Sequence, residues 1–200
     1  MAGEGKKRAR LVVGMSGASG QILGIRLLEV LRAFPDVETH LVISPAARAT
    51  IRQETSWSPQ AVQALADVVY RPGDIAAPIA SGSFRTLGMV IVPCSIKTLS
   101  AVAHSYASDL LTRAADVTLK EGRPLLLVVR ETPLHLGHLR LMLRAAEMGA
   151  IIFPPMPAFY ERPRTLDQVV DSLVGRILAR LGLENDLYPE WQGGYSPPTE

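Results

Sequence analysis

A single three-layer α/β/α domain around a mostly parallel sheet is the fold class this sequence predicts, and three observations carry that reading. Short apolar runs alternate with segments whose apolar residues recur every three or four positions, which is the pattern of strands and helices in βαβ order. The runs are too continuously apolar for a sheet with one wet face, so helices cover both faces. A glycine-rich turn, Gly14-Met15-Ser16-Gly17-Ala18-Ser19-Gly20, joins the first run to the first helical segment.

Taken in order, residues 11–13 form the first strand and residues 21–33 the first helix. That helix carries Ile22, Leu23, Leu27, Leu28 and Leu31 on one face and Arg26, Glu29 and Arg32 on a wetter one. A strand over 38–43 and a helix over 45–55 complete the first βαβ rhythm. Later strands are read at 87–92, 124–129 and 150–153, and helices at 95–105, 136–148 and 166–181. Residues 185–200, with Pro189, Gly193, Gly194, Pro197 and Pro198, read as an extended tail. Internal repeats and an interdomain linker are lacking.

Two hundred residues with 48% apolar content suffice for one compact domain. The net charge of +2 is nearly balanced, and Lys6-Lys7-Arg8 with Arg10 make a short basic run without interleaved aromatics, so nucleic acid is not an expected partner. One cysteine, Cys94, cannot form an intramolecular disulfide or a thiolate-rich metal site. The start has no apolar signal-peptide core, and no run approaches the ~18 apolar residues of a membrane span. A soluble protein of the reducing cytoplasm is expected.

Ligands of an open parallel sheet sit outside the carboxyl ends of its strands. The residues there are polar: Gly14 to Gly20, then Ser44, then Pro93-Cys94-Ser95-Ile96-Lys97-Thr98, then Arg130-Glu131-Thr132-Pro133, and last Pro154-Pro155-Met156-Pro157-Ala158-Phe159-Tyr160. Such loops, with no plausible metal cluster, point to an anionic organic ligand bearing phosphate. Exposed N–H groups and the positive end of a helix dipole face an anion at the first turn, and Ser16 and Ser19 can add hydroxyl donors. The turn is neither G-x-G-x-x-G nor a Walker A loop, so nucleoside triphosphate hydrolysis loses its support. Similar turns also occur in α/β proteins without a ligand.

Together with Ser81-Gly82-Ser83, Arg113-Ala114-Ala115-Asp116-Val117, Leu119-Lys120-Glu121 and Pro157-Ala158-Phe159-Tyr160, these motifs resemble in order and spacing the UbiX-type flavin prenyltransferases across residues 9–192. Residues 37–44 and 81–86 look most like the branch associated with hydroxyarylic acid decarboxylases. The resemblance implies a Rossmann-like (flavodoxin-like) domain over 9–184, between a basic extension at 1–8 and the tail at 185–200. It implies metal-independent transfer of a dimethylallyl group from dimethylallyl monophosphate to N5 and C6 of reduced FMN. The product, prenylated FMN, serves UbiD-type decarboxylases. Gly17, Ala18, Ser19, Ser44, Ser95, Ile96, Lys97, Thr98 and Arg130 match FMN-contacting positions. Arg113, Lys120, Glu131, Tyr160 and Arg176 match the prenyl phosphate site, where subunits of a homododecamer meet. Glu54 matches an acidic residue of the active site and Trp191 an aromatic that the tail brings over it.

The chemistry gives these residues a rationale of their own. Departure of a phosphate builds negative charge that Lys120, Arg130 and Arg176 would stabilise, with Tyr160 as a neutral donor. Glu131 could give a proton to the leaving group, and Glu54 could accept one released from the flavin. Trp191 or Trp57 could face the allylic cation. Blander readings stand beside these. Lys120-Glu121 is an ordinary solvated helix end, and Arg176 an ordinary wet helix position. Gly175 is costly in a helix by about 1 kcal/mol and implies close approach of another chain or ligand. Cys94 follows a buried strand and reads as an inert core thiol. His40 is packing, and His104, His135 and His138 lack the spacing of a zinc site.

Asp109, Pro45 and the run 137–141 depart from the family pattern without removing a matched site residue. Two other readings remain. An FMN-dependent decarboxylase of the cysteine-peptide type shares the fold, but its Pro-Ala-Ser-Ala-Asn-Thr and Pro-x-Met-Asn-x-x-Met-Trp segments do not occur here. An FMN-binding accessory subunit of an aromatic acid decarboxylase would leave Lys120, Glu131 and Arg176 without a role.

Overall fold

A computed structural model describes residues 8–191 and 193. Most of the basic extension, including Lys6 and Lys7, and the tail at 192 and 194–200 lie outside the described residues. The chain divides into two compact units, Met1–Met156 and Pro157–Glu200.

In the first unit six strands form one sheet: β1 (Ala9–Met15), β2 (Val37–Ile43), β3 (Val68–Tyr70), β4 (Gly88–Cys94), β5 (Leu125–Val129) and β6 (Ile151–Ile152). Their order is β3-β2-β1-β4-β5-β6, and every pairing is parallel. Val13 lies opposite Leu41 on one side and Val90 on the other. The order reverses between β1 and β4, so the crevice above those two strands is the topological switch point.

Right-handed crossovers then fix the layers. Helices α1 (Gln21–Leu31), α2 (Pro45–Glu54) and the short α3 (Pro59–Gln63) cover one face; α4 (Ile96–Ala103), α5 (Leu110–Lys120) and α6 (Leu136–Glu147) cover the other. Close contacts show both faces. A Cβ on Gly24 of α1 would come within 2.5 Å of the Val92 carbonyl and 2.8 Å of the Met15 side chain, so the helix is pressed onto β1 and β4. From Gly14, on the opposite pleat, the neighbours are Met89, Ile91 and Leu111 of α5. Val12, Val42, Met89, Ile91, Leu111 and Leu127 belong to one buried apolar cluster on that side. Each such Leu or Ile gains about 1.5–3 kcal/mol from leaving water.

Helix starts are set by capping side chains. Ser44, Ser58 and Ser95 accept backbone N–H groups of Ala47, Ala61 and Thr98. Asp109 and Thr112 form a reciprocal capping box that starts α5, each cap contributing about 1 kcal/mol. Helix α5 is only implied in the sequence by its end at Lys120, and α3 and β3 are not anticipated. The run at 150–153 contracts to a two-residue edge strand.

The amino edge of the sheet is bound by polar pairs. Arg8 reaches Asp67 at 2.8 Å, and Asp67 also accepts the N–H and hydroxyl of Thr39, each at 2.8 Å. Burial pushes the Asp67 carboxyl up, but these donors outweigh it and hold it at about 2. Arg10 lies 4.1 Å over the Phe84 ring and 3.6 Å from Glu38. Glu38 meets Nε2 of buried His40 at 2.7 Å, while Nδ1 meets the Tyr70 hydroxyl at 2.9 Å. The packing role of His40 therefore includes hydrogen bonds at both ring nitrogens. Burial lowers its pKa against the pull of Glu38.

The second unit contains a 3-10 turn at Phe159–Glu161 and helix α7 (Leu166–Arg180), capped by Thr165. Residues 185–188 fold back on α7. A Cβ on Gly175 would lie 2.7 Å from both Asn185 Oδ1 and Tyr188 Cδ1, and Asn185 Nδ2 donates to the Gly175 carbonyl at 3.0 Å. The close approach that Gly175 implies is thus made by the chain's own tail, a correction to the expectation of another chain or ligand.

Candidate active site at the switch point

The turn after β1 and the loop after β4 are joined by one buried hydroxyl. Ser16 Oγ donates to the Pro93 carbonyl at 3.0 Å and accepts the Ser95 N–H at 2.8 Å, while Ser16 N–H also donates to Pro93 at 3.1 Å. Ser16 is only 1% exposed. The expectation that Ser16 offers a donor to a ligand is therefore corrected: it is spent on holding two loops together.

Within the turn, Gly20 takes a positive φ of 97° and stands at the N-terminus of α1 without a side-chain cap. Gly17 is required for a different reason, since a Cβ there would sit 2.5 Å from that of Ala46. The orphan N–H groups of Gly20 and Gln21 donate to Glu54 Oε2 at 2.8 and 3.2 Å. Among the described residues the N–H groups of Gly17, Ala18 and Ser19 find no acceptor.

Glu54 ends α2 and reaches across to the start of α1. Burial raises its pKa, but hydrogen bonds from Ser19, Gly20 and Gln21 and the charge of Arg130 together lower it below the ordinary carboxylate value. The group is an anion held at the positive end of a helix. Arg130 follows β5 directly, its N–H donating to the Cys94 carbonyl at 3.2 Å, and its side chain is exposed. The structure thus brings Ser19, Glu54 and Arg130 together from three separate segments.

The remaining FMN candidates are placed at the same edge but differ in what they present. Ser44 and Ser95 use their hydroxyls as helix caps, and Ser95 Oγ also meets Thr98 Oγ1 at 3.2 Å. Thr98 is buried and Ile96 packs against the apolar cluster, whereas Lys97 is exposed. At this turn the backbone and Lys97 are what a ligand meets. Cys94 is buried, and burial drives its thiol pKa far upward, which leaves it inert as a nucleophile. Glu131 is exposed, its Oε1 accepting the Thr132 N–H at 3.0 Å. Among the described residues no group of three His, Cys, Asp or Glu is arranged to hold a metal ion, and no helix is long and apolar enough to cross a membrane.

Two candidates lie elsewhere in the unit. Arg113, in the first turn of α5, donates to the Ala80 carbonyl at 3.3 Å and pairs with Asp116 at 2.9 Å. Lys120 ends the same helix at the amino edge of the sheet, where its Nζ contacts Glu121 beside Gly82. The seven residues of β1 separate the two edges by roughly 20 Å at ~3.3 Å per residue. Lys120 cannot join Ser19, Glu54 and Arg130 within one chain. In the second unit, Tyr160 and Trp191 are both exposed and pack edge to face with ring centroids 5.3 Å apart. Arg176 is exposed in the middle of α7.

A glycine-dependent turn at the switch point of a parallel sheet, with three N–H groups that have no acceptor among the described residues, is fitted to a phosphate-bearing flavin such as FMN. Comparison with known proteins agrees. The Flavoprotein family model matches residues 2–178. Flavin prenyltransferase UbiX of Escherichia coli K12 is 64% identical over 92% of this chain and 98% of its own length. The chain belongs to the UbiX flavin prenyltransferase family. UbiX of Thauera aromatica is 56% identical over 92% of this chain and 94% of its own. A crystal structure of AnUbiX in complex with FMN and dimethylallyl pyrophosphate superimposes with a TM-score of 0.92 at 50% identity, covering 94% of this chain and all of that one. A dodecameric FMN-dependent UbiX-like decarboxylase from E. coli O157:H7 gives 0.90 at 53%, covering 92% and 100%. The peptidyl-cysteine decarboxylase EpiD, at 12% identity, shares the fold alone.

Gln21 is the site residue that sequence reading missed. Its buried amide donates to the carbonyls of Ser16 at 2.8 Å and Ala18 at 2.7 Å. It is uncharged and outside any motif, so only its position as the first residue after the turn could have drawn notice.

Proposed function

We propose that this member of the UbiX family transfers a dimethylallyl group from dimethylallyl monophosphate to reduced FMN, and that the prenylated FMN it releases serves a UbiD-type decarboxylase of the cytoplasm. The observation that carries the reading is the turn after β1, where among the described residues the N–H groups of Gly17, Ala18 and Ser19 have no acceptor, beside Glu54, which the next two N–H groups hold and which feels the charge of Arg130. When bound, reduced FMN supplies the electron-rich ring that is alkylated at N5 and C6.

The chain's own residues do the rest. Gly17, Ala18 and Ser19 bind the flavin phosphate, and the turns at Ser44 and Ser95 to Thr98 border the ring. Arg130 stabilises negative charge on the departing donor phosphate, together with Lys120, Arg113 and Arg176. Glu131 holds the proton that the leaving phosphate takes up, and Glu54, already ionised, accepts a proton from the alkylated centre. Tyr160 donates to the phosphate, while Trp191, packed on Tyr160, excludes water. Because Lys120 stands at the opposite sheet edge, a second copy of the chain supplies it, which accords with the dodecameric neighbour.

Incubation with reduced FMN and dimethylallyl monophosphate, followed by mass spectrometry of the flavin, tests the activity. A flavin heavier by one prenyl unit is the expected product. Tightly bound but unaltered FMN would instead support an accessory subunit.

A further inference from the structure

We infer that Gln21 is a positioning residue that sets the polarity of the phosphate-binding turn. The inference rests on the reading that Gly17, Ala18 and Ser19 hold the flavin phosphate. Gln21 is fully buried at the first position of α1, and one nitrogen, Nε2, donates to two alternate carbonyls of the turn, Ser16 at 2.8 Å and Ala18 at 2.7 Å.

A trans peptide is planar, and its N–H points opposite to its C=O. Drawing the Ser16 and Ala18 carbonyls inward therefore turns the N–H groups of Gly17 and Ser19 outward. These two are among the groups that donate to nothing in the described residues. The neighbouring donors, Gly20 and Gln21 N–H, are already committed to Glu54. One amide thus divides the turn into an inner row of carbonyls and an outer row of donors.

The Gln21 side chain carries a cost in stability that packing alone would not require. Its Oε1 is buried without a partner, and a buried acceptor left unpaired is destabilising. An apolar side chain of the same length, such as Met, would fill the space without that cost but would release both carbonyls. What the glutamine adds over Met is the –NH2 group.

The test compares FMN with riboflavin, which has the same ring but no phosphate, by flavin fluorescence on wild type, Gln21→Met and Gln21→Glu. Wild type should prefer FMN. Both variants should lose about ten- to a hundredfold in FMN affinity, as expected for two lost hydrogen bonds, while riboflavin affinity stays within about twofold. Equal losses for both ligands would overturn the inference, since a merely structural residue affects ring and phosphate alike. An FMN preference unchanged in a folded Gln21→Met protein would also overturn it. Absence of any FMN preference in wild type would sink the underlying phosphate reading instead. Far-UV circular dichroism separates misfolding from these outcomes, and if Gln21→Met does not fold, the equally uncharged Gln21→Leu takes its place, because the carboxylate of Gln21→Glu would repel a phosphate by charge alone.

Discussion

The two edges of the sheet are built on opposite principles. At the amino edge, charges are matched within the chain: Arg8 with Asp67, Arg10 with Glu38 and Phe84, Lys120 with Glu121, and Arg123 with the carbonyls of Gly82 and Phe84. At the carboxyl edge, among the described residues, Gly17, Ala18 and Ser19 keep N–H donors without acceptors, and the charge of Arg130 helps to lower the pKa of Glu54. One edge is satisfied by its own residues, and the other leaves donors open among the described residues. Lys120 is the exception that joins them, because it lies at the satisfied edge yet is proposed to act on the donor phosphate.

The sharpest way to break this contrast is at Lys120. Lys120→Ala should retain FMN binding but slow prenylation by about 10²- to 10³-fold, measured by single-turnover mass spectrometry, because a cation facing the leaving phosphate is lost. Mixing Lys120→Ala with a Glu54→Gln variant should restore part of the rate if the two residues act from different chains; no recovery would place them in one. Glu131→Gln, with a proton donor removed, should cost about 10²-fold in turnover with little change in FMN affinity.

Stability effects are smaller. Gly17→Ala forces a Cβ to 2.5 Å from Ala46 and should destabilise by about 1–3 kcal/mol in urea titration while weakening FMN binding. At the amino edge, Asp67 supplies the least. Its pKa is depressed from 3.8 to about 2, so its contribution is present above pH 3.8 and lost as the pH falls toward 2. Asp67→Asn should flatten the acid limb of the melting-temperature profile in that window and leave FMN affinity untouched. A change in FMN affinity would show that the edges are coupled.

Much of the fold was legible because its strands are buried on both faces and its first helix repeats strictly. Leu11 to Val13 and the 21–33 pattern match β1 and α1 apart from their ends. Strand β3 escaped because three residues at a sheet edge leave no periodicity to read. The start of α5 escaped although Leu110, Leu111, Ala114, Ala115 and Val117 repeat at helical spacing, because its inward face is built partly from alanines and threonines, which give a weak apolar signal in the sequence. Residues at the site were legible as types and not as roles. Ser16 and Ser19 look alike in the turn, yet one is buried between loops and the other meets Glu54. Only the fold distinguishes them, since the pleat and the neighbouring strand decide which hydroxyl is enclosed.

The Asn185 to Gly175 bond converts the end of the chain into a tether of fixed length. With Tyr188 seated against α7, three peptide units lead to Trp191, and at 3.8 Å between successive Cα atoms its Cα stays within about 11 Å of that of Tyr188. The indole is therefore confined to a bounded region, and lengthening the 189–190 spacer by one residue widens that radius by about a third.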